Sequence, residues 1–589
     1  MGIHGYTSHL KEPIFKRALI RTISPPRKIN TLYIDANSLI YQAASIDPLH
    51  SETKERASYY SGIHSSAKRV AKLFIKLVRE YIDTVKPTSS IVICFDGVSP
   101  LAKQEQSKRR RYMYNTQLYT VDGELYNLKD EINKAPSNID TIMISPGTEF
   151  MVAFTIYLKD WADSYHDTYK DGLTLILDTW QTPGEGEHKI ISYINIANEM
   201  KQAKHTNSNR GRGASKSKGI KQADNYDAIV CDDRDIILLT LVIPNSNLYI
   251  LMNIAHPEEL ADKVYIDISE MRVCIYELMN IKYNDGSQIR DTKLKDYLLI
   301  VSLCGNDFIP AIAEIDGNMK LYLSIALERY RDLSSKSNYF SLVGADYELN
   351  TKELCSLLQD IAKKVHIILQ SRINKAILYN YPVSYILSES SISEDEVSLI
   401  SPLVFNNQYH SHIDGTFDMP YMVEYDIDAQ KERVKDWITS LVWILRYYTG
   451  GVSKINLNWS YKHHYAPTLS DIIQELTLES NIQYIIQSAS ITKTPKYVTP
   501  YEMLLAILPH NKLHLLPSEL ADAAMNKMPE MYPSAIRIDM ELAQQQEHLG
   551  TILVPFINNK AIHTFYTKYK KPEYAAINRF VKPFIYQCA

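Results

Sequence analysis

Ile91-Val92-Ile93-Cys94-Phe95-Asp96-Gly97 is a run of five apolar residues, β-branched at its start, cut off by an acid and a glycine. Such a run reads as a buried strand that delivers a carboxylate where it ends. The same layout recurs in Leu32-Tyr33-Ile34-Asp35-Ala36-Asn37 and in Ile229-Val230-Cys231-Asp232-Asp233-Arg234-Asp235. Two further acidic turns are Pro183-Gly184-Glu185-Gly186-Glu187-His188 and Cys304-Gly305-Asn306-Asp307-Phe308. In an open parallel sheet the carboxyl ends of the strands converge on one edge, where ligands bind. Asp35, Asp96, Glu185, Glu187, Asp233, Asp235 and Asp307 are therefore expected to meet in space, although they span 272 residues of sequence.

The chain has 589 residues and is 45% hydrophobic, enough to bury more than one core, so two large regions are expected. A formal net charge of −4 argues against a generally cationic nucleic-acid coat; a polyanion has to be held by a local basic patch. The six cysteines show no CxxC spacing, which points to buried reduced thiols rather than disulfides or zinc. No apolar stretch of about 18 residues is present, and the start of the chain lacks a signal-peptide layout. The expectation is a protein of a reducing intracellular compartment, the cytoplasm first and the nucleus second, with no membrane contact.

Strand–helix alternation organises the first half. Residues 31–44 read as strand then helix, 64–86 as a long amphipathic helix, and 91–96 as a strand leading into a basic helix. Strand 173–178 leads into helix 187–200, and strand 227–232 into a turn and a helix. This implies an α/β fold, a mostly parallel central sheet flanked by helices, with a second, helix-rich region packed against it. We divide the chain into 1–330 (the core with the acidic site), 331–429 (a helical connector) and 430–589 (the second region). Residues 201–222, rich in Gly, Ser and basic residues without apolar periodicity, read as a flexible basic insertion.

Carboxylates are hard oxygen ligands and suit Mg²⁺ or Mn²⁺ rather than zinc. Two such ions about 3.5–4 Å apart activate a water and stabilise the leaving oxygen of a phosphodiester. Asp233 and Asp235 share a face if their segment is extended. Glu185 and Glu187 would diverge by about 200° on a regular helix, so they converge only if Gly184 and Gly186 keep them in an irregular turn; one of the two is then behind the metal rather than on it. Any one of these acids, taken singly, reads more readily as a helix cap or a solvated loop residue. Seven together do not.

The segment Lys103-Gln104-Glu105-Gln106-Ser107-Lys108-Arg109-Arg110-Arg111 follows directly on Asp96. As a helix it sets Lys103, Ser107, Arg110 and Arg111 on one face. Arg forks and a Lys point charge suit a phosphate there. A solvated basic face is the plainer reading, and the neighbouring acid argues against it.

In order, spacing and wording these motifs resemble the XRN-type 5′→3′ exoribonucleases, with a PIN or flap-nuclease-like core. The matching pieces in the first half are Asp35-Ala-Asn37, Asp96-Gly-Val-Ser-Pro-Leu-Ala-Lys103, Pro-Gly-Glu185-Gly-Glu187-His188, Asp233-Arg-Asp235 and Gly305-Asn-Asp307-Phe-Ile-Pro310. In the second half they are His464-Tyr465-Ala466-Pro467, Tyr501-Glu502-Met-Leu-Leu-Ala-Ile-Leu-Pro509 and Val554-Pro555-Phe556-Ile557. The resemblance implies that the seven acids hold two Mg²⁺ (or Mn²⁺) ions. It also implies that Lys103, Arg110 and Arg111 bind the 5′-monophosphate of single-stranded RNA. Ser107 aligns with the family's Gln in that pocket, leaving Gln106 as its substitute. Tyr41 takes the place of the base-stacking His, and Trp459 is the candidate for the stacking Trp, with core packing as its other reading. The start, Met1-Gly2-Ile3-His4-Gly5-Tyr6, leans toward flap endonucleases. The family's large C-terminal appendages do not follow, a layout expected of a compact or viral genome.

The expected function is processive 5′→3′ degradation of 5′-monophosphorylated RNA by two-metal hydrolysis. One alternative is a flap-type DNA nuclease, favoured by the first residues and by Tyr41-Gln42. The other is an inactive RNA-binding scaffold; seven repelling carboxylates with no metal to hold would only destabilise its core.

Overall fold

Along the predicted strands, successive apolar residues fall alternately into two separate cores. Tyr33, Val92, Cys94 and Ile229 belong to one, whereas Leu32, Ile34, Ile91, Ile93 and Val230 belong to the other. A period of two with both faces buried is the mark of a sheet covered on each side. Fully burying one such Ile or Val contributes about 1.5–3 kcal/mol, so register is firmly set.

The computed structural model describes residues 6–46, 59–120, 123–126, 140–168, 172–210, 226–244, 246–253, 263–281, 287–312, 314–315, 319–336, 340–344, 346–379, 427–478, 496–539 and 550–586. Among the described residues the strands are β1 (Leu19–Arg21), β2 (Ile29–Asp35), β3 (Ser90–Cys94), β4 (Gln117–Thr120), β5 (Leu125–Tyr126), β6 (Thr174–Asp178), β7 (Tyr226–Val230), β8 (Leu248–Asn253), β9 (Lys263–Asp267), β10 (Ala535–Asp539), β11 (Thr551–Leu553) and β12 (Phe584–Tyr586). They form an eight-stranded sheet of order β1-β9-β8-β7-β2-β3-β6-β12 and a small sheet of order β11-β10-β4-β5. The five central strands, β8 to β6, are parallel. Antiparallel strands close both edges.

Helices Ala36–Ile46, Tyr59–Val85 and Glu149–Thr168 cover one face. The other face carries helices Gly186–Arg210, Asp235–Leu241, Ile268–Leu278 and Ser287–Ser302, and the Ile427–Gly450 helix packs onto that layer. Among the described residues no helix is long and apolar enough to cross a membrane. The five described cysteines are buried and free, as expected for reduced thiols.

The structure adds detail to the division of the chain. Besides packing against the core, the second region contributes strands to both sheets: β12 pairs with β6 in the main sheet and β10 runs parallel to β4 in the small one. The expected insertion is also shorter: the helix begun at Gly186 continues to Arg210, so 201–210 is helical. Residues 211–225 and 380–426, the rest of the insertion and much of the connector, lie outside the described residues.

Candidate active site

Asp35 is the last residue of β2, and Asp96 lies two residues beyond β3; the two strands are adjacent, with Asp35 opposite Cys94. A pair of backbone bonds then ties the next turn to them. Gly97 N–H donates to Gly184 O at 2.8 Å, and Gly184 N–H donates to Val98 O at 2.9 Å. Only glycine fits at 97, where a Cβ would lie 1.9 Å from Thr182 O. Gly184 has φ +104°, the left-handed region that breaks the chain direction just before Glu185. The helix starts at Gly186, whose N–H donates to Asp96 Oδ1 at 2.7 Å. This is the irregular turn that lets Glu185 and Glu187 face one site. A Cβ on Gly186 would press to 2.7 Å from Asp35 Oδ1.

Asp233 and Asp235 converge differently from the expectation. Arg234 is in the right-handed helical region (φ −77°, ψ −18°), so the segment is not extended. Instead Asp235 N–H donates to Asp233 Oδ1 at 3.2 Å at the start of the 235–241 helix. This local turn of the Asp233 side chain onto the backbone sets the two acids at the start of the helix, Asp233 lining the cavity and Asp235 buried.

One cavity of 310 Å³ collects most of the predicted residues. Asp35, Asp96, Glu185, Glu187 and Asp233 line one wall; Lys103, Gln106, Ser107, Arg110 and Arg111, from the Leu101–Asn115 helix, line the other. Tyr41 also lines it and is 42% exposed, so it faces the cavity rather than packing inward on the 59–85 helix. Asp307 joins through Lys103, whose Nζ lies 3.1 Å from both Glu185 Oε2 and Asp307 Oδ2. Asp235 stands behind this wall. Arg111 is fixed by a 2.9 Å bond from its guanidinium to Ser145 Oγ. Trp459 is not part of the cavity: it is half-buried against the 427–450 helix, its indole N–H donating to Ser440 Oγ at 3.2 Å. Packing, the other reading of Trp459, describes it.

Several contributors were given no role by the sequence, although Asn37 stands in the Asp35-Ala36-Asn37 motif. Asn37 donates to Asp96 Oδ2 and accepts from the Asp96 backbone N–H at 3.2 Å, fixing both the side chain and the backbone of that acid. Cys231 donates its S–H to Asp35 Oδ2 at 3.3 Å. From the second region, the hydroxyl of Tyr447 donates to Glu185 Oε1, and that of Tyr448 to Asp235 Oδ2 at 2.9 Å. Met503 and Ile507, also from the second region, line the cavity.

Burial raises the pKa of Asp35, Asp96, Glu185, Glu187 and Asp235 above the ordinary carboxylate range, and neighbouring acids add to the shift. Asp307 goes the other way, because Lys103 and Arg110 outweigh its burial. Lys103 is held charged, its burial overcome by Glu185 and Asp307. One oxygen of Asp235 is buried with no hydrogen-bond partner. Among the described residues no three Asp, Glu, His or Cys side chains are drawn into one coordination shell, and the Lys103 ammonium separates Glu185 from Asp307. The donor set nevertheless fits a hard divalent cation. It is made wholly of oxygens, more numerous than one lysine can neutralise.

A mostly parallel sheet that presents a carboxylate cluster beside a basic helix defines a site for phosphate chemistry. The description "XRN 5'-3' exonuclease N-terminus" matches residues 1–253, and "Xrn1 helical domain" matches 388–573. The two matches cover more than half of the chain, which belongs to the XRN exonuclease family. Similar relatives include 5'-3' exoribonuclease 1 of Homo sapiens, 24% identical over 91% of this chain and 32% of its own length. Another is 5'-3' exoribonuclease 1 of Saccharomyces cerevisiae, 21% identical over 100% of this chain and 44% of its own. A third is 5'-3' exoribonuclease 2 of Arabidopsis thaliana, 21% identical over 90% and 62%. This chain thus spans 32% to 62% of the length of these relatives.

Proposed function

We propose that this chain is a 5′→3′ exoribonuclease that degrades single-stranded RNA bearing a 5′-monophosphate, processively and with two Mg²⁺ or Mn²⁺ ions. The observation that carries this reading is the single cavity with five carboxylates on one wall and Lys103, Gln106, Ser107, Arg110 and Arg111 on the other. The names of the relatives support the same reading.

The basic wall takes the terminal phosphate, with Arg110 and Arg111 offering forks and Lys103 a point charge. The three cations on that wall match the charge of a terminal phosphate dianion. Tyr41 supplies a ring at the mouth on which any base can stack, as stepwise movement along a strand requires. Asp35, Asp96, Glu185, Glu187, Asp233, Asp235 and Asp307 are the residues that would hold the ions. When bound, the ions supply water activation and charge neutralisation at the leaving oxygen. Asn37, Cys231, Tyr447 and Tyr448 orient the carboxylates, and Asp235 keeps one oxygen without a protein partner.

The test uses RNA and DNA strands of one sequence carrying 5′-monophosphate, 5′-hydroxyl or 5′-cap ends, in Mg²⁺ or EDTA. The expected outcome is Mg²⁺-dependent release of mononucleotides from monophosphorylated RNA alone. Asp233→Ala should abolish it while RNA is still bound. Preferred cleavage of DNA would turn the reading toward a flap-type nuclease, and binding without hydrolysis toward a scaffold.

A further inference from the structure

A second groove, of 610 Å³, lies at the start of the Pro500–Ile507 helix beside the Asn559–Tyr569 helix. Three exposed lysines line it, Lys496, Lys560 and Lys570. None of them enters an ion pair among the described residues. Nearby lysines do: Lys462 pairs with Glu105, Lys512 with Asp140 and Lys571 with Glu519. The acid in the groove, Glu502, is already committed. One of its oxygens accepts from Thr499 N–H at 2.7 Å in a capping box, and the other bonds His563 Nδ1 at 2.6 Å. Among the described residues the groove therefore presents three lysines without an acidic partner.

Its floor touches the turn that carries Glu185. Tyr497 lines the groove, and its hydroxyl reaches to 3.7 Å from the position a Cβ would take on Gly184, the residue before Glu185. That hydroxyl is buried without a hydrogen-bond partner. A half-buried aromatic floor beneath unpaired lysines is the arrangement that holds single-stranded nucleic acid, bases on the ring and phosphates on the cations.

We propose that this groove carries the RNA strand downstream of the nucleotides held at the carboxylates, an inference that rests on the exoribonuclease reading. Lysine contacts to phosphates are independent of sequence, so the groove would grip each new nucleotide as the strand advances, a requirement for processive action.

The test is the triple variant Lys496→Ala, Lys560→Ala and Lys570→Ala, all surface positions outside the carboxylate site. Binding of 5′-phosphorylated RNA is measured in EDTA as a function of salt, with a tetranucleotide and with a strand of about 20 nucleotides. The long strand should bind about tenfold more weakly at 0.1 M salt. The slope of its log affinity against log salt should fall by about 2, roughly 0.7 for each lost phosphate contact. The tetranucleotide should be unaffected. An unchanged long strand, including a variant whose only defect is in binding an acidic peptide, would overturn the proposal, as would equal weakening of both lengths. Hydrolysis by the unaltered chain in Mg²⁺ is scored separately. Its absence would sink the exoribonuclease reading, whereas length-dependent loss of binding would still support the groove.

Discussion

Tyr448→Phe removes one oxygen from the second region and tests whether that region sets the metal affinity of the first. The Tyr448 hydroxyl donates to Asp235 Oδ2 at 2.9 Å, with both residues almost fully buried. The other oxygen of Asp235 has no hydrogen-bond partner. A buried bond to a charged group contributes about 1.5–3 kcal/mol, and its loss raises further a pKa that burial and Asp233 already hold high. A carboxyl that keeps its proton is a poor ligand, and loss of such an outer partner typically costs about 10–100-fold in metal affinity. The Mg²⁺ concentration for half-maximal hydrolysis should therefore rise at least tenfold, with most of kcat restored at saturating Mg²⁺. Mn²⁺ binding followed by electron paramagnetic resonance should weaken in parallel, while RNA affinity in EDTA stays the same. An unchanged metal requirement would refute the reasoning. So would a loss of activity that extra Mg²⁺ does not restore, together with a lowered melting temperature, since Tyr448 would then be serving the core alone.

Arg110→Ala should weaken binding of monophosphorylated RNA by about 2–3 kcal/mol, the scale of a lost charge-assisted contact; an equal loss on 5′-hydroxyl RNA would remove Arg110 from the phosphate pocket. Tyr41→Ala should shorten processive runs, since one lost base stack costs about 1–3 kcal/mol, whereas Tyr41→Phe should be silent; a drop in melting temperature with run length unchanged would mark Tyr41 as a packing residue. Glu314 gives a prediction about stability. It is buried, accepts from Leu469 N–H at 2.9 Å, and has its pKa pushed up by burial to about 8 from an ordinary 4.5. Between those values the folded chain keeps a proton that the unfolded chain has lost, so stability falls as pH rises, by about 1.4 kcal/mol per unit. Glu314→Gln should therefore gain in melting temperature over the unaltered chain from pH 5 to pH 8; a difference constant with pH would show that Glu314 does not titrate in this window.

The sequence by itself determined the parallel strands and the acids at their ends, because both are written locally. A β-branched apolar run such as Ile91-Val92-Ile93 specifies a buried strand whatever follows, and an acid at its end has to emerge at the sheet edge. The basic face of the 101–115 helix was legible for the same reason, being fixed by helical spacing alone. The turn at Gly184 and Gly186 was legible as a requirement and became geometry in the positive φ of Gly184. Only the tertiary structure decided what lies across from these elements. Tyr447 reaches Glu185 over 262 residues of separation, and Tyr448 reaches Asp235 over 213. Which hydroxyls of the 427–450 helix meet a carboxylate depends on how that helix is rotated by its packing, and no local pattern encodes that rotation. The same holds for Trp459, whose indole found Ser440 rather than the cavity, and for the pairing of β12 with β6. Strand, cap and face follow from short-range sterics and periodicity, whereas the partner of a buried polar group is settled only when the surfaces that bury it have docked.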